Sequence, residues 1–158
     1  MTEYESASFY INSNLASKIL DSELIFENYK IKECLGDLYD KYEKFKLVLV
    51  SCTSINTSKE TNPLVSVRIE GLNWIGCYNY STNDNSSAVV GNIQVASSTS
   101  NQFLNYPNQA NWGCVFNKPS NTTVNLVISL FDEKLNKPIT ILRNITIQFT
   151  FVIYPMIE

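Results

Sequence analysis

Two segments near the end of this sequence limit its fold most sharply. Thr122–Asp132 reads TTVNLVISLFD and Asn144–Pro155 reads NITIQFTFVIYP. Both are rich in β-branched and aromatic residues and are bounded by turn formers, the composition of strands. In the second, Ile145, Ile147, Phe149, Phe151 and Ile153 alternate with Thr146, Gln148, Thr150, Val152 and Tyr154. A period of two puts one set on a buried face and the other on the opposite face. Between the two segments lies Asp132–Pro138, DEKLNKP, a charged surface turn.

The same reading extends through the chain. Strands are expected at Ser6–Ile11, Leu24–Ile31, Phe45–Ile55, Leu64–Leu72, Ala88–Ala96, Asn111–Asn117, Thr122–Phe131 and Ile145–Tyr154. In Leu64–Leu72, Val65, Val67 and Ile69 alternate with Ser66, Arg68 and Glu70, so the first three are assigned inward and the last three outward. Glu27-Asn28 interrupts the second strand, and Gly91-Asn92 marks a bulge or bend in the fifth. Asn14–Glu23 reads as a helical turn capped by Asn14 or Ser17. Glu33–Lys44 reads as the one clear helix, with Leu35, Leu38, Tyr39 and Tyr42 on a single stripe packed on a sheet edge. Asn73–Tyr80 and Ser97–Asn111 carry no clear period.

At 158 residues, with no linker or repeat, the chain reads as one domain spanning residues 1–158. Eight antiparallel strands with a helix between the second and third predict an all-β jelly-roll sandwich, two sheets of four built from two Greek keys. The nearest rival is an immunoglobulin-like sandwich, which places a Trp centrally within a strand between two strand cysteines. Trp74 does lie between Cys52 and Cys114, but at a strand end between Gly71 and Gly76.

Composition narrows the chemistry. No histidine is present, which removes Ser-His-Asp and Cys-His catalysis and His-ligated zinc. The carboxylate pairs Asp21/Glu23, Asp37/Asp40 and Asp132/Glu133 fall at helix ends or turns, with nothing to converge them on a cleft. Asp84 lacks the second acidic ligand of a Ca²⁺ site. The expectation is therefore no enzyme, no cofactor and no metal. Net charge is −3 with no basic run, which argues against direct nucleic-acid binding. No segment approaches the roughly 20 apolar residues of a membrane span, and the opening MTEYESASFYINS lacks the apolar core of a signal peptide. Cys34, Cys52, Cys77 and Cys114 are widely spaced and are expected to be reduced, structural thiols. The N-x-[ST] triplets at Asn56, Asn79, Asn85, Asn121 and Asn144 follow from the abundance of Asn, Ser and Thr. Charged residues make up only 17%, a weakly charged polar surface that suits an all-β protein.

Val127–Val152 runs VISLFDEKLNKPITILRNITIQFTFV: a strand ending in Asp-Glu, a polar turn into Asn-Lys-Pro-Ile, and a final alternating strand. This resembles the C-terminal signature of small single-jelly-roll capsid proteins of large double-stranded DNA viruses and virophages. Phe45–Ser51 and Val67–Trp74 are similar to the same group. The resemblance implies a structural virion component, a minor capsid or penton protein in an icosahedral shell. Its partners would be the major capsid protein, other capsid proteins or further copies of itself. It also implies residence in the virion after assembly in the host cytoplasm. It transfers no individual functional residue. The alternative is a lectin-like or receptor-binding sandwich.

Trp74, Tyr78, Tyr80, Phe103, Tyr106 and Trp112 concentrate in the irregular segments. They are the candidate interface anchors, or else they close the ends of the core. The segments Asn73–Ser86 and Ser97–Asn111 are accordingly the expected contact loops.

Overall fold

The computed structural model describes residues 5–53, 64–75, 87–94, 113–133, 136–139 and 146–156. Among them are eleven strands: β1 (Ala7–Asn12), β2 (Lys18–Leu20), β3 (Glu23–Tyr29), β4 (Lys44–Thr53), β5 (Leu64–Glu70), β6 (Asn73–Ile75), β7 (Ser87–Gln94), β8 (Cys114–Asn117), β9 (Val124–Asp132), β10 (Lys137–Pro138) and β11 (Gln148–Pro155). They form two antiparallel sheets, ordered β1-β11-β4-β8-β6 and β2-β3-β9-β5-β7, with β10 beside β9.

The expected eight strands correspond to β1, β3, β4, β5, β7, β8, β9 and β11; β2, β6 and β10 are short additions. Taking those eight in chain order, the first pairs with the eighth, the second with the seventh, the third with the sixth and the fourth with the fifth. Nested pairs of this kind make one long hairpin. The contacts β11 to β4 and β9 to β5 roll it into two layers. That is the connectivity of a jelly roll. It departs from the immunoglobulin arrangement, whose two sheets draw on a different set of strands.

The core lies between the layers. Phe45, Leu47, Leu49, Cys114, Phe116, Phe149, Phe151 and Ile153 face it from one sheet; Leu24, Val65, Val67, Ile69, Leu126, Ile128 and Leu130 face it from the other. Two bulges adjust the parity. On β4, Leu49 pairs with Phe151 and Ser51 with Thr150, so Val50 is an extra residue and both Leu49 and Cys52 point inward. On β7 the register shifts between Val89 and Gly91, next to the expected bend. The Glu27-Asn28 interruption is also a register shift, with Asn28 at φ 54° and its N–H donating to Asn125 Oδ1 at 2.9 Å.

The single helix expected over Glu33–Lys44 is instead two short ones, α1 (Ile31–Leu35) and α2 (Leu38–Lys41). Gly36, at φ 58° and ψ −132°, sits in a conformation that only glycine adopts readily and ends α1. The apolar stripe survives the break: Leu35 and Leu38 are buried, and Tyr39 and Tyr42 pack against the core. The expected helical turn after β1 is a single 3-10 turn, Ser13–Leu15, capped by Asn12 rather than Asn14 or Ser17. Ser13 then clasps the start of β11: its N–H donates to Ile147 O, and its Oγ accepts from Ile147 N, both at 2.9 Å.

Candidate interaction surfaces

Of the six candidate aromatics, the structure places Trp74 in the core. It lies at the centre of β6, 8% exposed, with its ring edge-on to Phe116 at 5.7 Å and its Nε1 donating to Ile69 O at 3.1 Å. The indole N–H of a buried Trp needs such a partner, and the turn at Gly71-Leu72 brings the Ile69 carbonyl into reach. Trp74 is thus a packing residue and offers no ring for a sugar or a partner to stack on. Tyr78, Tyr80, Phe103, Tyr106 and Trp112 lie outside the described residues, as does nearly all of the two expected contact loops.

The carboxylate pairs do not converge. Asp132 is 5% exposed on the core-facing side of β9, whereas Glu133 lies on the opposite face against Arg68. Asp21 turns the β2–β3 hairpin at φ 45°, and Glu23 points outward from β3. Among the described residues no cluster of three or more metal-ligating side chains occurs, and no helix is long and apolar enough to cross a membrane. Cys34, Cys52 and Cys114 are free thiols, and Cys77 lies outside the described residues. Burial pushes Cys52 up to about 12 and Cys34 up to about 11 from the ordinary thiol value of 9.0, the latter offset in part by a hydrogen bond to Tyr29. Neither is poised as a nucleophile. Cys114 Sγ donates to Val89 O at 3.2 Å, a bond that links the two sheets.

What remains is the outer surface of each sheet. On the first sheet, one row runs Ile75, Val115, Lys46, Tyr154 across four strands, and the next holds Val48, Val152 and Ser8. Tyr10, 64% exposed, stands at the β1 edge. The only charged side chains of outward parity in these five strands are Lys44 and Lys46. Val48 is 1% exposed despite its outward parity, so this face is covered at its centre.

On the second sheet the outward rows are Leu20, Glu23, Ser129, Arg68 and then Lys18, Ile25, Val127, Glu70. Leu20 is 53% exposed. Lys18 pairs with Glu27 at 3.1 Å, and Arg68 Nη2 with Glu133 Oε1 at 3.0 Å. Among the described residues of outward parity here, Lys18 and Arg68 stand with Glu23, Glu27, Glu70 and Glu133. Ser66 and Arg68 have the expected outward parity, yet they are covered: Ser66 is 0% and Arg68 8% exposed. The Arg68 guanidinium lies 4.0 Å from the Phe131 ring centroid, and Ser66 Oγ donates to Glu133 Oε1 at 2.7 Å. Alternation reports which way a side chain points, not what covers it. The one sequence signal for this cluster is an arginine between Val67 and Ile69, on the polar side of an alternating strand.

After the polar turn of the Val127–Val152 segment, β10 pairs antiparallel with β9. Lys137 pairs with Asp132 and Pro138 with Phe131, and Ile139 N–H donates to Leu130 O at 2.9 Å. Asn136 makes the turn at φ 55°.

No protein family matches the sequence, and no curated protein does. Solved structures that are similar at low identity include the following three. The mavirus penton protein aligns at 15% identity over 60% of this chain and 36% of its own, with a TM-score of 0.39. The NLP core of Drosophila, described with pentamer formation and histone binding, aligns at 9% over 98% of this chain and all of its own, with a TM-score of 0.35. Desmodium yellow mottle tymovirus aligns at 10% over 100% and 92%, with a TM-score of 0.28. The chain therefore spans about a third of the penton protein it matches. At these scores the likenesses fix neither family nor function, and the sandwich rests on its own strand pairing.

Proposed function

We propose that this protein is a structural subunit of a viral capsid, a minor capsid or penton component held by lateral contacts within an icosahedral shell. The supporting observation is the nested pairing of eight strands into a jelly roll, with the β9–β10 hairpin standing where the capsid-like segment at 127–152 has its polar turn. A fold alone does not define a function, so the reading joins that topology to the residue pattern. On this reading the protein works through surfaces and not through chemistry. Its partners are the major capsid protein, other shell proteins and copies of itself, and it resides in virions assembled in the host cytoplasm. The aromatics Tyr78, Tyr80, Phe103, Tyr106 and Trp112 are proposed to anchor contacts with the other shell proteins.

Purified particles test this. The protein should be present at a fixed ratio to the major capsid protein, and a particle map should show jelly-roll density of this size in the shell. Its absence from purified virions would end the proposal.

A further inference from the structure

We infer that the outer edge of β1 is a self-docking site. A second copy of this chain pairs its own β1 antiparallel along that edge, about a two-fold axis at Tyr10, and joins the two β1-β11-β4-β8-β6 sheets into one. The inference goes beyond the shell-subunit reading and does not depend on it.

The backbone is the first ground. β1 ends its sheet, and among the described residues it pairs with β11 alone. Ser13 continues that register opposite Ile147 and donates its N–H to Ile147 O. Residues of an antiparallel strand bond to one neighbour and the other alternately. Ala7, Phe9 and Ile11 therefore share the direction of Ser13, and Ser8, Tyr10 and Asn12 turn their N–H and C=O groups towards the outer edge. Ser8 and Tyr10 are exposed, Tyr10 at 64%.

An edge of this kind recruits another strand unless brevity, a charge, a proline or a bulge blunts it. β1 has none of these: it is six residues, ASFYIN, in unbroken register with β11. The other strands that end the two sheets differ. β6 and β2 have three residues each, β2 with Lys18 among them, and β7 is broken by the register shift beside Gly91.

The occupant follows from the sequence of the strand. With Tyr10 on the two-fold axis, Tyr10 faces Tyr10 and Ser8 faces Asn12, the three residues whose backbone groups point to the edge. On the core side, Phe9 faces Ile11 of the second copy. Phe9 is only partly buried in the single chain, so this pair completes its burial. No charge within the strand opposes a like charge in the other copy. β1 and β2 each end a sheet and are joined by the 3-10 turn, so they share one side of the sandwich. Leu15 and Leu20 on that connection are 72% and 53% exposed and add apolar surface beside the paired strands. A two-fold contact is isologous and stops at two copies.

Sedimentation velocity on the purified chain should show a monomer–dimer equilibrium that is nearly the same at low and high salt. Tyr10→Lys and Tyr10→Glu should each raise the dissociation constant about tenfold or more, with unchanged circular dichroism, because each sets like charges together at the axis. Mixed in equal amounts, the two variants should form heterodimers, since unlike charges then meet. Tyr10→Pro removes an N–H that faces the edge and not β11, so it should fold and lose pairing. If that variant misfolds, Ser8→Pro, whose N–H also faces the edge, should weaken pairing. A wild-type chain that stays monomeric to about millimolar concentration overturns the inference. So does a folded Tyr10→Lys or proline variant that dimerises like wild type, or a mixture of the two charge variants that associates no better than either alone. Detection in virions of a chain that is monomeric in isolation would leave the shell reading standing and remove this one.

Discussion

Phe149→Ala tests the register of the final strand and the depth of the core together. The ring is 0% exposed and sits between Ile11 on β1 and Cys52 on β4 in the strand pairing. It stacks on Phe151 with centroids 6.0 Å apart and planes 23° from parallel. Removing a buried phenylalanine side chain costs about 3–5 kcal/mol, more where the surroundings cannot collapse. Here β11 is hydrogen-bonded on both sides along its length, so the backbone cannot move in to fill the space. The expected loss is therefore about 4 kcal/mol, or a fall in Tm of roughly 8–16 °C for a domain of this size. Urea unfolding followed by tryptophan fluorescence should show the midpoint falling with the m-value unchanged. The neighbouring Gln148 is exposed, so Gln148→Ala should stay within about 0.5 kcal/mol of wild type. A loss below about 1 kcal/mol for Phe149→Ala, or a larger loss for Gln148→Ala, would refute the assigned register.

Gly71→Ala should destabilise by about 2–4 kcal/mol, because the new Cβ at φ 115° would run into the Asn125 carbonyl; a melt within 2 °C of wild type would contradict that packing. A double-mutant cycle on Arg68 and Glu133 should give a coupling of about 1–2 kcal/mol, against about 0.5 or less for the exposed Lys18–Glu27 pair; equal values would remove the special status of the Arg68 cluster. For the thiols, denatured protein should titrate four, while Cys34 and Cys52 in the native state should react slowly at pH 8. A buried thiol with a raised folded value contributes stability that is full below 9.0 and declines as pH rises towards about 12, so Cys52→Val should flatten the alkaline limb of the stability profile. Rapid labelling of native Cys52, or an alkaline limb unchanged by its removal, would count against the burial.

The eight long strands were legible because each buries one face over several residues. Val65, Val67 and Ile69, or Phe149, Phe151 and Ile153, repeat the inward choice often enough to be read from the chain. The three short strands were not legible, for the same reason. β6 contributes one inward residue, Trp74, and a single residue has no period. β2 contributes only Ile19, and in sequence its Leu15, Ile19 and Leu20 neighbourhood imitates a helical spacing. The helix was read one element too long because its stripe continues across Gly36: Leu35 and Leu38 are both buried although the backbone between them is not helical. Periodicity records which side chains are buried, and a tight turn can keep that order while ending the helix.

The surface was harder to read than the core. Whether Trp74 is an anchor or a core residue depends on a hydrogen bond to Ile69 O across a turn, and no local pattern encodes that choice. Which strand residues share an outer face is likewise invisible along the chain. Lys44 and Lys46 are separated from Tyr154 by more than a hundred residues, and Glu23 from Glu70 by nearly fifty, before the strand order sets them on opposite sides of the sandwich. The pairing of first strand with eighth and second with seventh places them there. A one-residue slip in β4 beside β11 would send Lys46 towards the core and Leu47 outward. The same register that fills the core with Phe149 and Phe151 therefore also decides which charges each face presents.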